Sequence, residues 1–189
     1  MKKTSILLTS LTAALSLAAC DPKSAESIEG STAENQMAAV EEEQRSSPLV
    51  KLDGEINGKK VFIQYGAPSV KNRELWGDLV PYNVVWRTGA NEATYIDVSE
   101  EIMVEGKALS PGKYSIFTIP KENQPWTVIF NSDWDLEHGH FQYNEKNDVL
   151  RVNVQPVIGD NFEEVLSFAI GDPGIILKWE KMTLPISIQ

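Results

Sequence analysis

Basic and aromatic side chains alternate along one stretch of the sequence, between positions 59 and 94. Within 59–87 there are five lysines and arginines but only two acids, although the whole chain has 17 basic and 27 acidic residues. A guanidinium offers two coplanar donors to a carboxylate, and an aromatic ring beside it can stack on a ligand. The pattern predicts a site for a carboxylate or a sugar, with the ligand-binding side chains Tyr65, Lys71, Arg73, Trp76, Arg87, Asn91 and Glu92.

The same stretch also has a purely structural interpretation. Arg87 would then form an ion pair with Glu92 or Asp97, and Trp86 would belong to the hydrophobic core. Gly89 would occupy a bulge or turn that needs a positive φ. The sequence leaves both interpretations open, because it does not give the distances between these side chains.

Two histidines, His138 and His140, are separated by a single glycine and follow the acids Asp133, Asp135 and Glu137. On an extended strand both imidazoles would point to one side, and the carboxylates could add oxygen ligands. Two histidines are fewer than the three protein ligands usual for a catalytic zinc, so they are weak candidates and no metal is predicted. The chain has no phosphate-binding loop or dinucleotide fingerprint, and no cofactor is predicted.

Short segments rich in β-branched and aromatic residues dominate the sequence after position 48. Turn signals such as Asn57-Gly58 and Glu105-Gly106 separate them. One short helix is predicted over 69–76, where Ser69 can cap and Gly77 can end it. The sequence predicts an all-β domain, a single antiparallel β-sandwich resembling a jelly roll, with strands at 61–65, 84–88, 95–98, 101–109 (a hairpin), 114–119, 126–130, 149–157, 165–170, 174–179 and 183–188.

Several longer strings of residues are more specific than these local patterns. They include Tyr-Gly-x-Pro-x-x-Lys-x-Arg from Tyr65, then Val84-Val-Trp-Arg-Thr-Gly-Ala-Asn-Glu-Ala-Thr94 and Leu109-Ser-Pro-Gly-Lys-Tyr-Ser-Ile-Phe-Thr-Ile-Pro120. They resemble the bacterial family known as domain of unknown function 2911 (DUF2911), and the resemblance covers roughly 49–189. It implies an exported, β-rich protein, often a lipoprotein, and it supplies no established reaction.

The first twenty residues have the pattern of an export signal. Lys2 and Lys3 precede an apolar run over 6–17 that is too short to span a bilayer as a helix. Leu17-Ala-Ala-Cys20 looks like a bacterial lipobox, in which the cysteine is lipidated; an ordinary secretory signal ending near a cysteine is the alternative. We predict a signal peptide at 1–19, a lipidated Cys20 followed by a disordered acidic linker to 48, and the folded domain at 49–189. The acyl chains, such as palmitate, would anchor the protein to a membrane of the bacterial cell envelope.

Charge narrows the classes of partner. The formal net charge is −10, and 49–189 alone has 13 basic and 20 acidic residues. This balance argues against nucleic acid as a partner, because phosphates must be neutralised by clustered lysines and arginines. The single cysteine excludes a disulfide within the chain.

Three functions fit these observations. The first is a non-catalytic binding module for a glycan or another small polar or anionic ligand. The second is an interaction or scaffolding lipoprotein whose partner is another envelope protein, and the third is a glycan or ester hydrolase. The sequence favours the first, since the basic and aromatic stretch suits a ligand and the signals for a catalytic nucleophile or metal are poor.

Overall fold

Strands make up most of residues 45–189, the part of the chain that the computed structural model describes. Within this range the only helical segments are two 3₁₀ helices, Gly139–Gln142 and Glu145–Asn147. The strands are β1 (Leu49–Ile56), β2 (Lys59–Gly66), β3 (Tyr95–Val98), β4 (Ile102–Val104), β5 (Lys107–Leu109), β6 (Gly112–Ile119), β7 (Trp126–Asn131), β8 (Asp148–Val154), β9 (Val157–Gly171) and β10 (Gly174–Ser187).

Six strands form one sheet in the order β1-β2-β3-β6-β7-β8, and every neighbouring pair is antiparallel. On β2, Val61, Ile63 and Tyr65 are buried, whereas Phe62 and Gln64 between them are only partly buried. This alternation follows from the period of two in a strand, which sends successive side chains to opposite faces. The buried face of the sheet forms one side of the main core.

A second layer covers that face. It consists of the β9–β10 hairpin and the β4–β5 hairpin, which are joined where Val104 bridges Ile188. Leu177, Leu184 and Ile186 of β10 are fully buried and belong to the same hydrophobic cluster as the inward residues of the six-stranded sheet. The two layers therefore enclose one core, as in a sandwich.

The outer face of the central strands is covered by a loop. Phe117 on β6 and Ile129 on β7 are fully buried in a second, smaller cluster, against which Leu136 and Tyr143 of the 132–147 segment pack. The loop that carries both histidines is thus fixed to the sheet by apolar contacts.

The prediction of an all-β domain built from antiparallel sheets is confirmed. The turns at Asn57-Gly58 and Glu105-Gly106 also form as predicted, with positive φ at all four residues, as hairpin turns of this kind require. Strand β1 was not among the predicted segments. The strands predicted over 174–179 and 183–188 are one continuous strand, β10, and the strand predicted over 149–157 is divided between β8 and β9.

Two predicted elements do not form. The helix predicted over 69–76 does not form, because Ser69 bridges Val165 of β9 and both Lys71 and Asn72 adopt a positive φ, which interrupts a right-handed helix. The strand predicted over 84–88 is a loop whose backbone pairs with β6 at a single isolated bridge, between Trp86 and Thr118.

The predicted signal peptide, the lipidation of Cys20 and most of the linker lie outside the described residues. Within 45–189, none of the helices has the length and apolar character needed to cross a membrane. Residues 45–48, assigned to the linker by sequence, contact the domain: Ser47 is buried and the Pro48 carbonyl accepts a hydrogen bond from the Ala67 N–H.

Candidate functional site

A cavity of about 300 Å³ opens at one end of the sandwich, where segments distant in the sequence meet. Its walls come from the chain before β1, the segment after β2, the loop before β3, the first 3₁₀ helix and β10. The residues used below that line it are Ser47, Ser69, Lys71, Arg73, Leu79, Trp86, Arg87, Asn91, His140 and Trp179.

All three ionic side chains that line the cavity are basic: Lys71, Arg73 and Arg87. Within the described part of the chain, no carboxylate forms a salt bridge with any of them. Glu164 is close, but its carboxylate accepts from the backbone N–H of Lys71 at 3.0 Å. An acidic domain therefore has a concave surface whose charged side chains are all positive and form no salt bridge within 45–189, which is an arrangement suited to an anion.

Arg73 is held by its own segment. Its Nε donates to the carbonyl of Val70 at 3.0 Å, and its Nη2 donates to the carbonyl of Ser69 at 2.6 Å. These bonds fix the direction of the side chain while leaving its charge unneutralised.

Arg87 is held by a histidine. Its Nη1 lies 3.0 Å from Nδ1 of His140. Because a guanidinium can only donate, Nδ1 accepts and the imidazole is neutral, with its proton on Nε2. Burial and the charge of Arg87 both lower the pKa of His140 below its ordinary 6.5, which favours this neutral form. Burial also lowers the pKa of Arg87, and the carboxylate of Glu92 acts in the opposite direction.

The backbone at Gly139 packs directly on the stem of Arg87. A Cβ built at Gly139 would lie 2.4 Å from Cδ and 2.8 Å from Cβ of Arg87, and the residue has φ +52°. Only glycine allows both the conformation and the close approach.

The loop that carries Gly139 and His140 is tied to the sheet by a polar network around Asp148. Tyr143 Oη donates to Asp148 at 2.8 Å, Arg151 Nε donates to the same carboxylate at 2.6 Å, and Asn131 Nδ2 donates to its other oxygen at 2.8 Å. Burial and the bond to Asp148 raise the pKa of Tyr143 to about 12. The network fixes the end of the loop through hydrogen bonds that do not include Arg87.

The loop that carries Arg87 has a constrained backbone. Thr88 is fully buried and has φ +57°, which is unusual for a β-branched residue and is often found at functional sites. The positive φ expected at Gly89 falls on Thr88 and Asn91 instead. Gly89 is required for space, because a Cβ there would lie 2.7 Å from Oγ1 of Thr94 and 3.0 Å from the carbonyl of Gly66.

Tryptophans form the inner end of the cavity. Trp86 and Trp179 stack with ring centroids 5.8 Å apart and an interplanar angle of 15°. Trp76 packs edge-on against both rings, at 5.9 Å from each. Trp179 is only 1% exposed, yet its Nε1 has no hydrogen-bond partner within 45–189, and the same is true of the buried Nε of Arg87. The buried Nε1 of Trp76 is a third such donor, but Trp76 does not line the cavity. Since a buried donor without a partner costs about 1–3 kcal/mol, a ligand that supplied acceptors to the two lining residues would be stabilised by them.

The structure brings four of the seven predicted ligand-binding residues to this cavity: Lys71, Arg73, Arg87 and Asn91. Three are elsewhere. Tyr65 is buried in the core and its hydroxyl accepts from the N–H of Phe168 at 3.3 Å, and Trp76 lies behind the two lining tryptophans. Glu92 forms an ion pair with Arg45, and Asp97 pairs with Lys113 at 3.9 Å, so neither carboxylate pairs with Arg87.

The two histidines do not act together. His140 lines the cavity and accepts from Arg87, whereas His138 is exposed. Among residues 45–189 no three histidine, cysteine, aspartate or glutamate side chains are grouped as they would be around a metal ion.

Among the cavity residues that sequence reasoning did not place at a ligand site, Trp179 and His140 matter most for the site. Trp179 lies in an apolar strand segment whose pattern indicates core, and no local signal marks it as a lining residue. His140 was predicted only as a weak candidate for metal binding. Its local sequence gives no sign of a contact with Arg87, which lies 53 positions earlier.

A larger cavity, of about 490 Å³, lies against β1, β2 and β3. Its polar lining includes Asp53, Glu55, Lys60 and Asp97, and Asp97 already pairs with Lys113. None of the seven predicted ligand-binding residues lines it, and neither does any of the buried donors without a partner. The smaller cavity is therefore the stronger candidate.

The fold and the site together define a class of protein: an all-β sandwich domain with a cationic cavity whose inner end is formed by tryptophans. Residues 47–188 match the family described as "Protein of unknown function (DUF2911)", and the chain belongs to that family. Comparison with curated proteins and with solved structures gave no significant match.

Proposed function

We propose that the protein is a non-catalytic binding module for a small anionic ligand, held in the cavity that Lys71, Arg73 and Arg87 line. The observation that carries this proposal is the charge of the cavity. Three basic side chains converge there with no carboxylate paired to them in the described domain, although acids outnumber bases in that domain. Basic side chains gathered at one concave surface are ordinarily paired with carboxylates, so an external anion is the simplest partner for these three.

The two other functions find less support in this geometry. A scaffolding protein has no need for basic side chains gathered in one cavity. A hydrolase that uses two carboxylates or both histidines needs them in one cleft. The cavity has no aspartate or glutamate among its lining residues and contains only one of the histidines.

The proposal is tested by thermal unfolding of the purified protein with inorganic phosphate, acetate, glucuronate or neutral glucose. A ligand present at ~100 times its dissociation constant stabilises the folded state by about 2.7 kcal/mol, which gives a clear rise in melting temperature. We expect at least one anion to raise the melting temperature and glucose to leave it unchanged.

Two lysine variants make the test specific to the cavity. Lys71→Gln removes a lining charge, whereas Lys51→Gln removes the charge of an exposed lysine on β1. The stabilisation by the anion should fall in the first variant and persist in the second. Equal stabilisation in both, or none by any anion, would contradict the proposal.

We also propose that Cys20 is lipidated and anchors the protein to a membrane of the bacterial cell envelope. The support is the sequence Leu17-Ala-Ala-Cys20 after a short apolar run with lysines before it. Cells fed labelled palmitate should label the wild-type protein and not Cys20→Ser, and the variant should leave the membrane fraction. Labelling of Cys20→Ser would count against the anchor.

A further inference from the structure

We propose that the ligand of this cavity is a hydroxylated carboxylate, such as a sugar acid, whose carboxylate binds Arg87 and whose hydroxyl oxygen accepts from Nε1 of Trp179. This inference rests on the proposed function and goes further, because it assigns the two ends of the ligand to two donors.

The first donor is one edge of the Arg87 guanidinium. Nη1 is already engaged by His140, which leaves the edge formed by Nε and Nη2. Nε is buried and has no partner among residues 45–189. The Nε–Nη2 edge of a guanidinium can bind a carboxylate through two parallel hydrogen bonds. In the same domain, Arg151 directs its Nε and Nη2 to a carboxylate, both lying 2.6 Å from one oxygen of Asp148. Gly139 packs on the stem of Arg87 and restricts the direction of that edge.

The second donor is uncharged and lies deeper. Trp179 lines the cavity and is 1% exposed, and its Nε1–H finds no acceptor within the described domain. Of two other indoles in the same cluster of rings, Trp126 donates its Nε1–H to the carbonyl of Lys121 at 3.1 Å, as buried indoles usually do, whereas the buried Nε1 of Trp76 also has no partner within 45–189. Trp179 differs from Trp76 in lining the cavity. An uncharged donor away from the guanidinium suits a hydroxyl or ring oxygen of the ligand.

The size and the remaining walls fit the same class. A volume of about 300 Å³ is at the lower end of the range of roughly 300–1,000 Å³ for ligand cavities, which suits a single sugar-sized molecule. The rim offers Ser69 and Asn91 for further hydroxyls, and Trp86 offers an apolar face. An inorganic anion would leave most of this surface unused.

The test compares four compounds by calorimetry on the purified protein: glucuronate, acetate, glucose and inorganic phosphate. Glucuronate should bind about five- to tenfold more tightly than acetate or phosphate, the gain expected from one added hydrogen bond of about 1–1.4 kcal/mol, and glucose should not bind. Trp179→Phe should remove that advantage and leave acetate binding unchanged. Trp126→Phe is the matched control, because it removes an indole of the same cluster that does not line the cavity.

A second measurement holds even if Trp179→Phe fails to fold. In the wild-type protein, the indole N–H signal of Trp179 should shift on addition of glucuronate and remain in place with acetate, while that of Trp126 should remain in place with both. Equal affinity for acetate and glucuronate, with the Trp179 signal unmoved, would overturn this inference and leave anion binding intact. Binding of none of the three anions, or of glucose as tightly as glucuronate, would overturn both.

Discussion

The side chain of Arg87 is positioned by a glycine backbone and a neutral histidine, where a carboxylate would be the ordinary neighbour. This choice keeps its charge available. The position of the guanidinium therefore depends on two uncharged groups, the backbone of Gly139 and the imidazole of His140.

Gly139→Ala should weaken anion binding more than it weakens the fold. The new Cβ would lie 2.4 Å from Cδ of Arg87, so the side chain must move. The matched control is Gly106→Ala in the β4–β5 turn, which also has a positive φ but has nothing within 4 Å of the added Cβ. Both variants should lose about 1–2 kcal/mol of unfolding free energy from the left-handed conformation, and Gly139→Ala should lose more because of its contact with Arg87. Only Gly139→Ala should lose affinity for the anion. Equal affinity of the two variants would show that Gly139 does not position Arg87.

His140 makes the stability depend on pH below neutrality. Its pKa in the folded protein is lower than the ordinary 6.5 of the unfolded chain, so the unfolded state takes up the proton first. The contribution of His140 to the unfolding free energy is therefore present above pH 6.5 and is lost as the pH falls through the folded value. Urea unfolding from pH 7.5 to 5 should show a smaller decline for His140→Gln than for the wild type. His138→Gln, which alters the exposed neighbour, should decline like the wild type.

The composition of the site could be predicted only in part. Lys71, Arg73, Arg87 and Asn91 are close in sequence, so their local density was visible. Trp179 and His140 reach the cavity through the packing of β10 and of the loop after β7, and no local pattern encodes those contacts. Glu92 lies in the same part of the sequence as these residues, but its carboxylate forms an ion pair with Arg45 and it does not line the cavity.

The loop between β7 and β8 shows how one element can set the geometry of another. Asp148 at the start of β8 accepts from Tyr143 and Arg151, which holds the end of the loop that also carries His140. Any loosening of this network should reach the cavity through Gly139 and His140.

Tyr143→Phe tests the network. The variant keeps the ring that packs on Phe117 and loses the hydroxyl, so the unfolding free energy at pH 7 should fall by about 0.5–1.5 kcal/mol. Because the pKa of Tyr143 is raised to about 12, the unfolded state loses its proton first, and stability declines as the pH rises from 10 toward 12. That alkaline decline should be smaller in Tyr143→Phe. Tyr82 and Tyr95, whose pKa values are also raised, are present in both proteins and contribute equally. An unchanged alkaline decline would remove Tyr143 as its source.

Strands were easier to predict than the segments between them, for a physical reason. Alternating burial leaves a period of two in the sequence, as on β2 and in 150–154 of β8. Segment 84–88 is equally rich in β-branched and aromatic residues but has a partner only at Trp86, so its propensity is overridden by its surroundings. The helix signal at 69–76 is overridden in the same way by the pairing of Ser69 with β9.

At the scale of the whole molecule, the two layers are joined by residues far apart in the chain. Ile188 is 2% exposed, and the backbone around it pairs with β4 through the bridge to Val104. The small β4–β5 hairpin is attached to the rest of the second layer by these few contacts.

Ile188→Ala should therefore destabilise the domain by about 2–5 kcal/mol, as expected for a buried isoleucine, although it lies near the edge of the fold. Val157→Ala on β9, where the side chain is 54% exposed, should change stability by less than about 0.5 kcal/mol. Chemical denaturation of both variants measures the difference. Similar values for the two variants would mean that the packing of Ile188 beside β4 contributes little to the stability of the domain.

The pairing of the end of β10 with β4 has a consequence during synthesis of the chain. The carboxylate of Glu105 accepts from the N–H of Ser187, 82 residues later, and at about 5–20 residues per second this partner is made roughly 4–16 s after β4. Until then, the edge of β4 that faces away from β5 has no strand to pair with. A chain with such non-local pairings folds slowly once complete, in milliseconds to seconds. The nascent domain therefore emerges with an exposed strand edge that a chaperone, or early export of the unfolded chain, would have to keep from pairing with other chains.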